Sequence, residues 1–254
     1  MYISIMSPNT KKVVVFDLDE TLGHFYSIRL LWDAIHYFIT YNKINYTPGQ
    51  KDFNYLMDAF SETLRPGIVE MLSNLKGKKK LNKCKGVMVY TNNRYPKKWV
   101  DLITGYFKTK LDSDIFNRVI LAFKLNGVIQ EKHRTSSEKK YSDFLKCCKL
   151  PDDIEVCYFD DVDYPGMRDE NVYYVKVKPY FYTYTKSDIV KKLFDSVLMD
   201  NILKTEENKK IFITYVLKYL GMEKYGFGKK QIGEIRLDDI VSKRMKTHLK
   251  LFFD

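Results

Sequence analysis

The chain has 254 residues and a formal net charge of +11, with 45% hydrophobic and 30% charged residues. That apolar fraction can fill a core, which excludes global disorder, and the length suits one large domain or a domain with an accessory lobe. The basic balance favours acidic partners (phosphate groups, nucleic acid or acidic peptides) without choosing among them.

In chain order, "MYISIMSPNTKK" lacks a basic start followed by a long apolar run, so no signal peptide is expected. "KKVVVFDLD" reads as a first buried strand, a β-branched run too short for a helix. Residues 27–41 place Ile28, Leu31, Trp32, Ile35, Phe38 and Ile39 on one helical face. Arg29, Asp33 and His36 interrupt that segment, which rules against a membrane span. "DFNYLMDAF" is a second short helix, and the Pro-Gly turn of "LRPGIVEMLSNL" precedes a third. "KGKKKLNKCK" holds six lysines in ten residues and reads as a solvated loop at the sheet edge away from the strand C-termini.

"GVMVYTNN" is a second buried strand, and "DIFNRVILAFKLNGVIQ" one or two strands with an Asn-Gly turn. "SSEKKYSDFLKCCKLP" predicts a helix with serines placed to cap it and Pro151 after it. "IEVCYFDDVD" and "NVYYVKVKPY" are two further strands, and the tyrosines of "YYVKVKPYFYTY" read as packing residues. Residues 187–254 are mainly helical: one helix ends at Gly221, and another carries Leu237, Ile240, Val241, Met245, Leu249 and Phe252 on one face. This alternation predicts an α/β fold, a Rossmann-like parallel sheet with helices on both faces. A helical insertion follows the first strand, and a mainly helical extension closes the chain. The four cysteines, Cys84, Cys147, Cys148 and Cys157, have no zinc spacing and read as small buried hydrophobes in a reducing, intracellular setting.

Three strands end in functional groups: Asp17 and Asp19, Thr91, and Asp160 with Asp161. In an open parallel sheet that edge is where ligands bind. Residues i and i+2 share one side of a strand, so Asp17 and Asp19 are expected to face one pocket. Carboxylates gathered there repel unless a cation joins them, and oxygen ligands suit magnesium. Such a set fits phosphoryl transfer: one carboxylate attacks phosphorus, a second protonates the leaving oxygen, and a hydroxyl and a lysine hold the phosphoryl oxygens.

"FDLDETL", "VYTNN", a lysine opening a helix, and "YFDDVD" resemble the four motifs of the haloacid dehalogenase superfamily. The wording "DLDETL", with "LRPG" and "NVYYVKVKPY", is similar to its carboxy-terminal-domain (FCP/SCP-like, NLI-interacting-factor-like) phosphatases. The resemblance covers roughly residues 11–200 and implies a core over 1–200, with 22–63 as a cap-like insertion and 201–254 as a helical extension of unassigned role. It also implies that Asp17 is the nucleophile and Asp19 the general acid and base. Thr21 would brace the turn, Thr91 would bond a phosphoryl oxygen, and Lys139 or Lys140 would be the third-motif lysine. Mg2+ would be held by the Asp17 side chain, the Asp19 main-chain carbonyl and Asp160, with Asp161 orienting a bound water.

Thr21, Asn92 and Arg94 are candidate substrate contacts. Arg94, Lys97 and Lys98, with Lys132, His133 and Arg134, could form a basic rim that draws in an acidic phosphorylated substrate. The implied function is a phosphoserine or phosphothreonine protein phosphatase, cytoplasmic or nuclear. "TNN" departs from that branch toward polynucleotide 3′-phosphatases, so a nucleic-acid-end or nucleotide phosphatase is the alternative. A third reading is a silent interaction protein that docks on a larger assembly through its C-terminal helices. Richness in Lys, Asn, Ile, Tyr and Phe is a bias that often follows an AT-rich genome, and the resemblance implies a eukaryotic or a large DNA virus origin.

Overall fold

A computed structural model describes residues 11–254; residues 1–10, most of the stretch read for a signal peptide, lie outside the described residues. The elements in chain order are β1 (Lys12–Phe16), α1 (Tyr26–Tyr41), α2 (Gln50–Ala59), α3 (Ile68–Lys80), β2 (Gly86–Tyr90), α4 (Lys97–Leu111) and β3 (Phe116–Ile120). Then come β4 (Lys124–Leu125), β5 (Val128–Ile129), α5 (Tyr141–Cys148), β6 (Glu155–Asp160) and β7 (Val172–Lys176). Four helices follow: α6 (Lys186–Phe194), α7 (Val197–Ile202), α8 (Glu206–Met222) and α9 (Ile232–Phe253). Among the described residues no helix is long and apolar enough to cross a membrane.

The chain forms two compact units. The first takes the described residues up to Leu22, Gly67–Pro179 and Asp239–Asp254. Its centre is an all-parallel sheet in the order β3-β2-β1-β6-β7. Val13, Val14, Val15 and Phe16 are fully buried, so β1 is covered on both faces. Each such side chain contributes about 1.5–3 kcal/mol relative to exposure. Alternation divides the work: Val13, Val15, Met88, Tyr90, Val156 and Tyr158 pack on one face with Tyr141, Phe144 and Leu145 of α5. On the other face the rings of Phe16 and Phe159 stack with centroids 5.0 Å apart.

The chain leaves β1 toward β2 and leaves β6 toward β7, in opposite directions across the sheet. The crevice between β1 and β6 is therefore the topological switch point, where ligands bind in open parallel sheets.

The second unit takes Gly23–Pro66 and Tyr180–Asp238. The compact units thus group 23–66 with 180–238, whereas the sequence reading divided the chain at residue 200 with 22–63 as an insertion. The two segments share one apolar core: Phe38 of α1 meets the rings of Phe212 and Tyr215 of α8 at 5.0 and 5.4 Å. Tyr184 further donates its hydroxyl to the carbonyl of Phe60.

Four local expectations change. The lysine-rich stretch is not all loop, because α3 continues through Lys80. Lys76 donates to the carbonyls of Leu111 and Asp112 at the end of α4, and Lys79 to the Ile115 carbonyl and Asn117 Oδ1 just beyond it, so these charges meet protein oxygens. Gly67 precedes α3 at φ 72°, a left-handed conformation that glycine adopts without penalty. Helix α5 begins at Tyr141 with no capping serine; Asp143 in its first turn instead accepts from the N–H and hydroxyl of Thr135. Helix α8 runs one residue past Gly221, to Met222.

On α9 the buried residues of the predicted face are Met245, Leu249 and Phe252, while Ile240 and Leu237 are exposed. At 3.6 residues per turn Ile240 lies about 140° from Met245, so a single apolar line cannot hold both.

Candidate active site

Register brings the first pair of carboxylates together. Phe16 is level with Phe159, so Asp17 and Asp160 leave neighbouring strands side by side, and the Asp17 N–H donates to the Phe159 carbonyl at 2.9 Å. By alternation both side chains point to the face carrying α5. Lys139 lies two residues before that helix and reaches back into the crevice. Its Nζ donates to Asp17 Oδ1 at 2.5 Å and to Asp160 Oδ2 at 2.6 Å, and its side chain is 1% exposed. Lys140 is the N-cap of α5; its Nζ meets Thr135 Oγ1 at 3.3 Å. The structure thus separates the two lysines and removes Lys140 from the site.

Carboxylate oxygens of Asp17, Asp160 and Asp161 lie within 4.8 Å of one another. Burial pushes Asp17 well above the usual carboxylate range; Lys139 opposes this, while Asp160 and Asp19 add to it. Asp161 is raised by burial and by Asp160. For Lys139, burial acts to lower the ammonium, but the carboxylates of Asp17 and Asp160 outweigh it and hold it above its ordinary value. Three carboxylates face one ammonium, an excess of negative charge with hard oxygen donors of the kind that a magnesium ion offsets.

Asp19 corrects the expectation that i and i+2 share a strand face. Strand β1 ends at Phe16, and Asp19 stands in the following turn, with Glu20 at φ 56°. The Asp19 carboxylate is outside the cluster of three; its Oδ2 accepts from Asn93 Nδ2 at 2.7 Å. Thr21, expected to brace the turn and to contact substrate, is fully buried and donates to Asp161 Oδ1 at 3.1 Å, tying the turn after β1 to the end of β6.

Thr91 follows β2 at the same sheet edge, buried, its Oγ1 accepting the Asn93 N–H at 2.9 Å. Asn92 is no free substrate contact. Its Nδ2 donates to the Ser137 carbonyl and the Tyr164 hydroxyl, and its Oδ1 accepts from Arg134. Arg134, expected on a basic rim, is buried and also donates to the carbonyls of Thr91, Leu121 and Ser137. It ties the loop after β2 to the segment that delivers Lys139. Arg94, Lys98, Lys132 and His133 are exposed, and Lys97 pairs with Asp101 within α4.

Sequence reasoning missed Asn93 and the tyrosines around Lys139, and it set Arg134 on an exposed rim where the structure buries it. Tyr158 donates to Asp160 Oδ2, and the Tyr164 ring centroid is 5.0 Å from Lys139 Nζ. Tyr158 carried a signal, since it precedes Asp160 by two on one strand and therefore shares its face. The buried role of Arg134 and the position of Tyr164 carried none, because loops place them. Gly166 lets the loop after β6 close on this segment: a Cβ there would stand 2.9 Å from Lys140 Cγ and 3.0 Å from the Lys139 carbonyl oxygen.

No protein-family model, no curated protein and no solved structure matches the chain, so these residues and their geometry carry the functional reading.

Proposed function

We propose that the chain is a magnesium-dependent phosphomonoester hydrolase of haloacid dehalogenase type, acting on phosphoserine or phosphothreonine in proteins. The observation that carries it is the buried Asp17–Lys139–Asp160 arrangement at the switch point, with Asp161, Asp19 and Thr91 around it. Asp17, Asp160 and Asp161 would hold the metal, which when bound would neutralise phosphoryl charge.

The chain's own groups do the rest. An Asp17 oxygen attacks phosphorus, the bond from phosphorus to the leaving oxygen breaks, and Asp19 gives that oxygen a proton. Water then attacks the aspartyl-phosphate, Asp19 takes its proton, and phosphate leaves with Asp17 regenerated. Thr91, whose oxygen already accepts from Asn93, keeps its own proton for a phosphoryl oxygen, and Lys139 offsets the charge that develops there.

The resemblance of "DLDETL", "LRPG" and "NVYYVKVKPY" to the carboxy-terminal-domain phosphatases supports a phosphoprotein substrate. Exposed Arg94 and Lys98, near Thr91 in sequence, fit acidic phosphopeptides. The four cysteines are free thiols, which suits a reducing intracellular compartment as part of the same proposal.

The test is phosphate release, with magnesium, from a phosphoserine peptide and from an oligonucleotide carrying a 3′-phosphate, for the wild type and Asp17→Asn. Peptide turnover that vanishes in the variant is the expected result. Turnover of the oligonucleotide alone moves the function to nucleic-acid ends, and release from neither overturns the enzyme reading.

A further inference from the structure

We propose that Asn93 is a positioning residue whose side-chain amide holds the Asp19 carboxylate where it can protonate the leaving oxygen; this rests on the phosphatase reading above. Three bonds from one residue carry the inference. The Asn93 backbone N–H donates to Thr91 Oγ1 at 2.9 Å, its Oδ1 accepts the Tyr95 N–H at 2.9 Å, and its Nδ2 donates to Asp19 Oδ2 at 2.7 Å. A backbone N–H can only donate, so the carbonyl end of the carboxamide faces Tyr95. The amino end is then left for Asp19. Amide orientation is fixed by the network rather than by choice.

Asp19 lies beyond the end of β1, and the bond from Asn93 is one hold on its carboxylate. A general acid acts only within hydrogen-bond reach of the atom it protonates, so a carboxylate free to change rotamer spends part of its time out of place. The Asn93 amide narrows that freedom by bonding one carboxylate oxygen. It also couples the loop after β1 to the loop after β2, so the acid and the Thr91 hydroxyl are placed as one unit. Its neighbour does different work: Asn92 faces Arg134, Ser137 and Tyr164 and braces the loops.

The consequence depends on the leaving group. Serine alkoxide is strongly basic and must be protonated as it departs, whereas p-nitrophenolate leaves without help. The experiment measures kcat and KM on a phosphoserine peptide and on p-nitrophenyl phosphate for the wild type, Asn93→Asp and Asn93→Ala, each checked for folding by thermal melt. Asn93→Asp keeps the size and the acceptor for the Tyr95 N–H while taking away the donor to Asp19. We expect kcat on the peptide to fall on the order of 10²-fold with KM little changed, and kcat on the aryl phosphate to fall at least about tenfold less. Adding Asn93→Ala to Asp19→Ala should cost no further peptide turnover, because residues acting as a unit are not additive.

Equal losses on the two substrates, a change confined to KM, or additivity with Asp19→Ala overturns the role of Asn93 while the phosphatase reading stands. A wild-type chain that releases phosphate from neither substrate overturns both.

Discussion

At the ends of β1 and β6 the first unit sets two buried carboxylates and a half-buried third against one buried ammonium, whereas in the second unit Lys230 meets a single carboxylate, Asp238. The other polar groups buried in the second unit include tyrosine hydroxyls on backbone carbonyls, Tyr180 on Glu62 and Tyr184 on Phe60. Matched pairs and neutral hydrogen bonds fix packing at little net expense. A surplus of buried like charge destabilises a fold unless a cation enters, and it persists where chemistry uses it.

The largest expected effects set these two regions against each other. Lys139→Met and Lys230→Met each strip the cation from a buried pair and should each lose about 3–5 kcal/mol in denaturant unfolding. Magnesium should restore part of the loss in Lys139→Met, where three carboxylates can share the ion, and none in Lys230→Met. Equal recovery in both would erase the distinction.

Next comes the wild type with magnesium. At an ion concentration near 100 times Kd, unfolding should be harder by about 2.7 kcal/mol, seen as a rise in Tm. Asp17→Asn should weaken this rise. Burial raises both Asp17 and Asp161 above the ordinary 3.8, so without metal their contribution to stability is present below that value and lost as pH rises through their folded pKa values. The gain from magnesium should therefore be larger near pH 7.5 than near pH 4.5. A gain that does not depend on pH would count against a carboxylate site.

Within the second unit the effects are smaller and insensitive to metal. Tyr184→Phe removes one of two donors to the Phe60 carbonyl, which keeps the Thr63 N–H, and should lose about 1 kcal/mol. Thr185 caps α6 by accepting the Asp188 N–H, so Thr185→Ala should lose about 1 kcal/mol. The Thr185 hydroxyl also holds the Asp188 carboxyl below its ordinary 3.8. That contribution is present above 3.8 and lost as pH falls through the depressed value, and the acid side of a stability profile should flatten in the variant. Smallest of all, Lys140→Ala should shift stability by less than about 0.5 kcal/mol and leave phosphate release unchanged. A loss comparable to that of Lys139→Met would return Lys140 to the site.

The sequence by itself determined the parallel sheet, its buried strands and the residues at their ends. Apolar runs such as "VVVF" and "VCYF" state their burial in composition, and Asp17, Thr91 and Asp160 follow directly. Tertiary structure decided the rest. Lys139 was chosen over Lys140 by where α5 begins, and Asp19 was moved off the strand by where β1 ends. Residues 180–238 joined 23–66 because aromatic faces far apart in the chain are complementary. Arg134 and Asn93 gained their meaning from loops that meet only after folding. Periodicity is a local property, written in neighbouring residues, whereas the direction of a loop side chain is set by partners dozens of residues away.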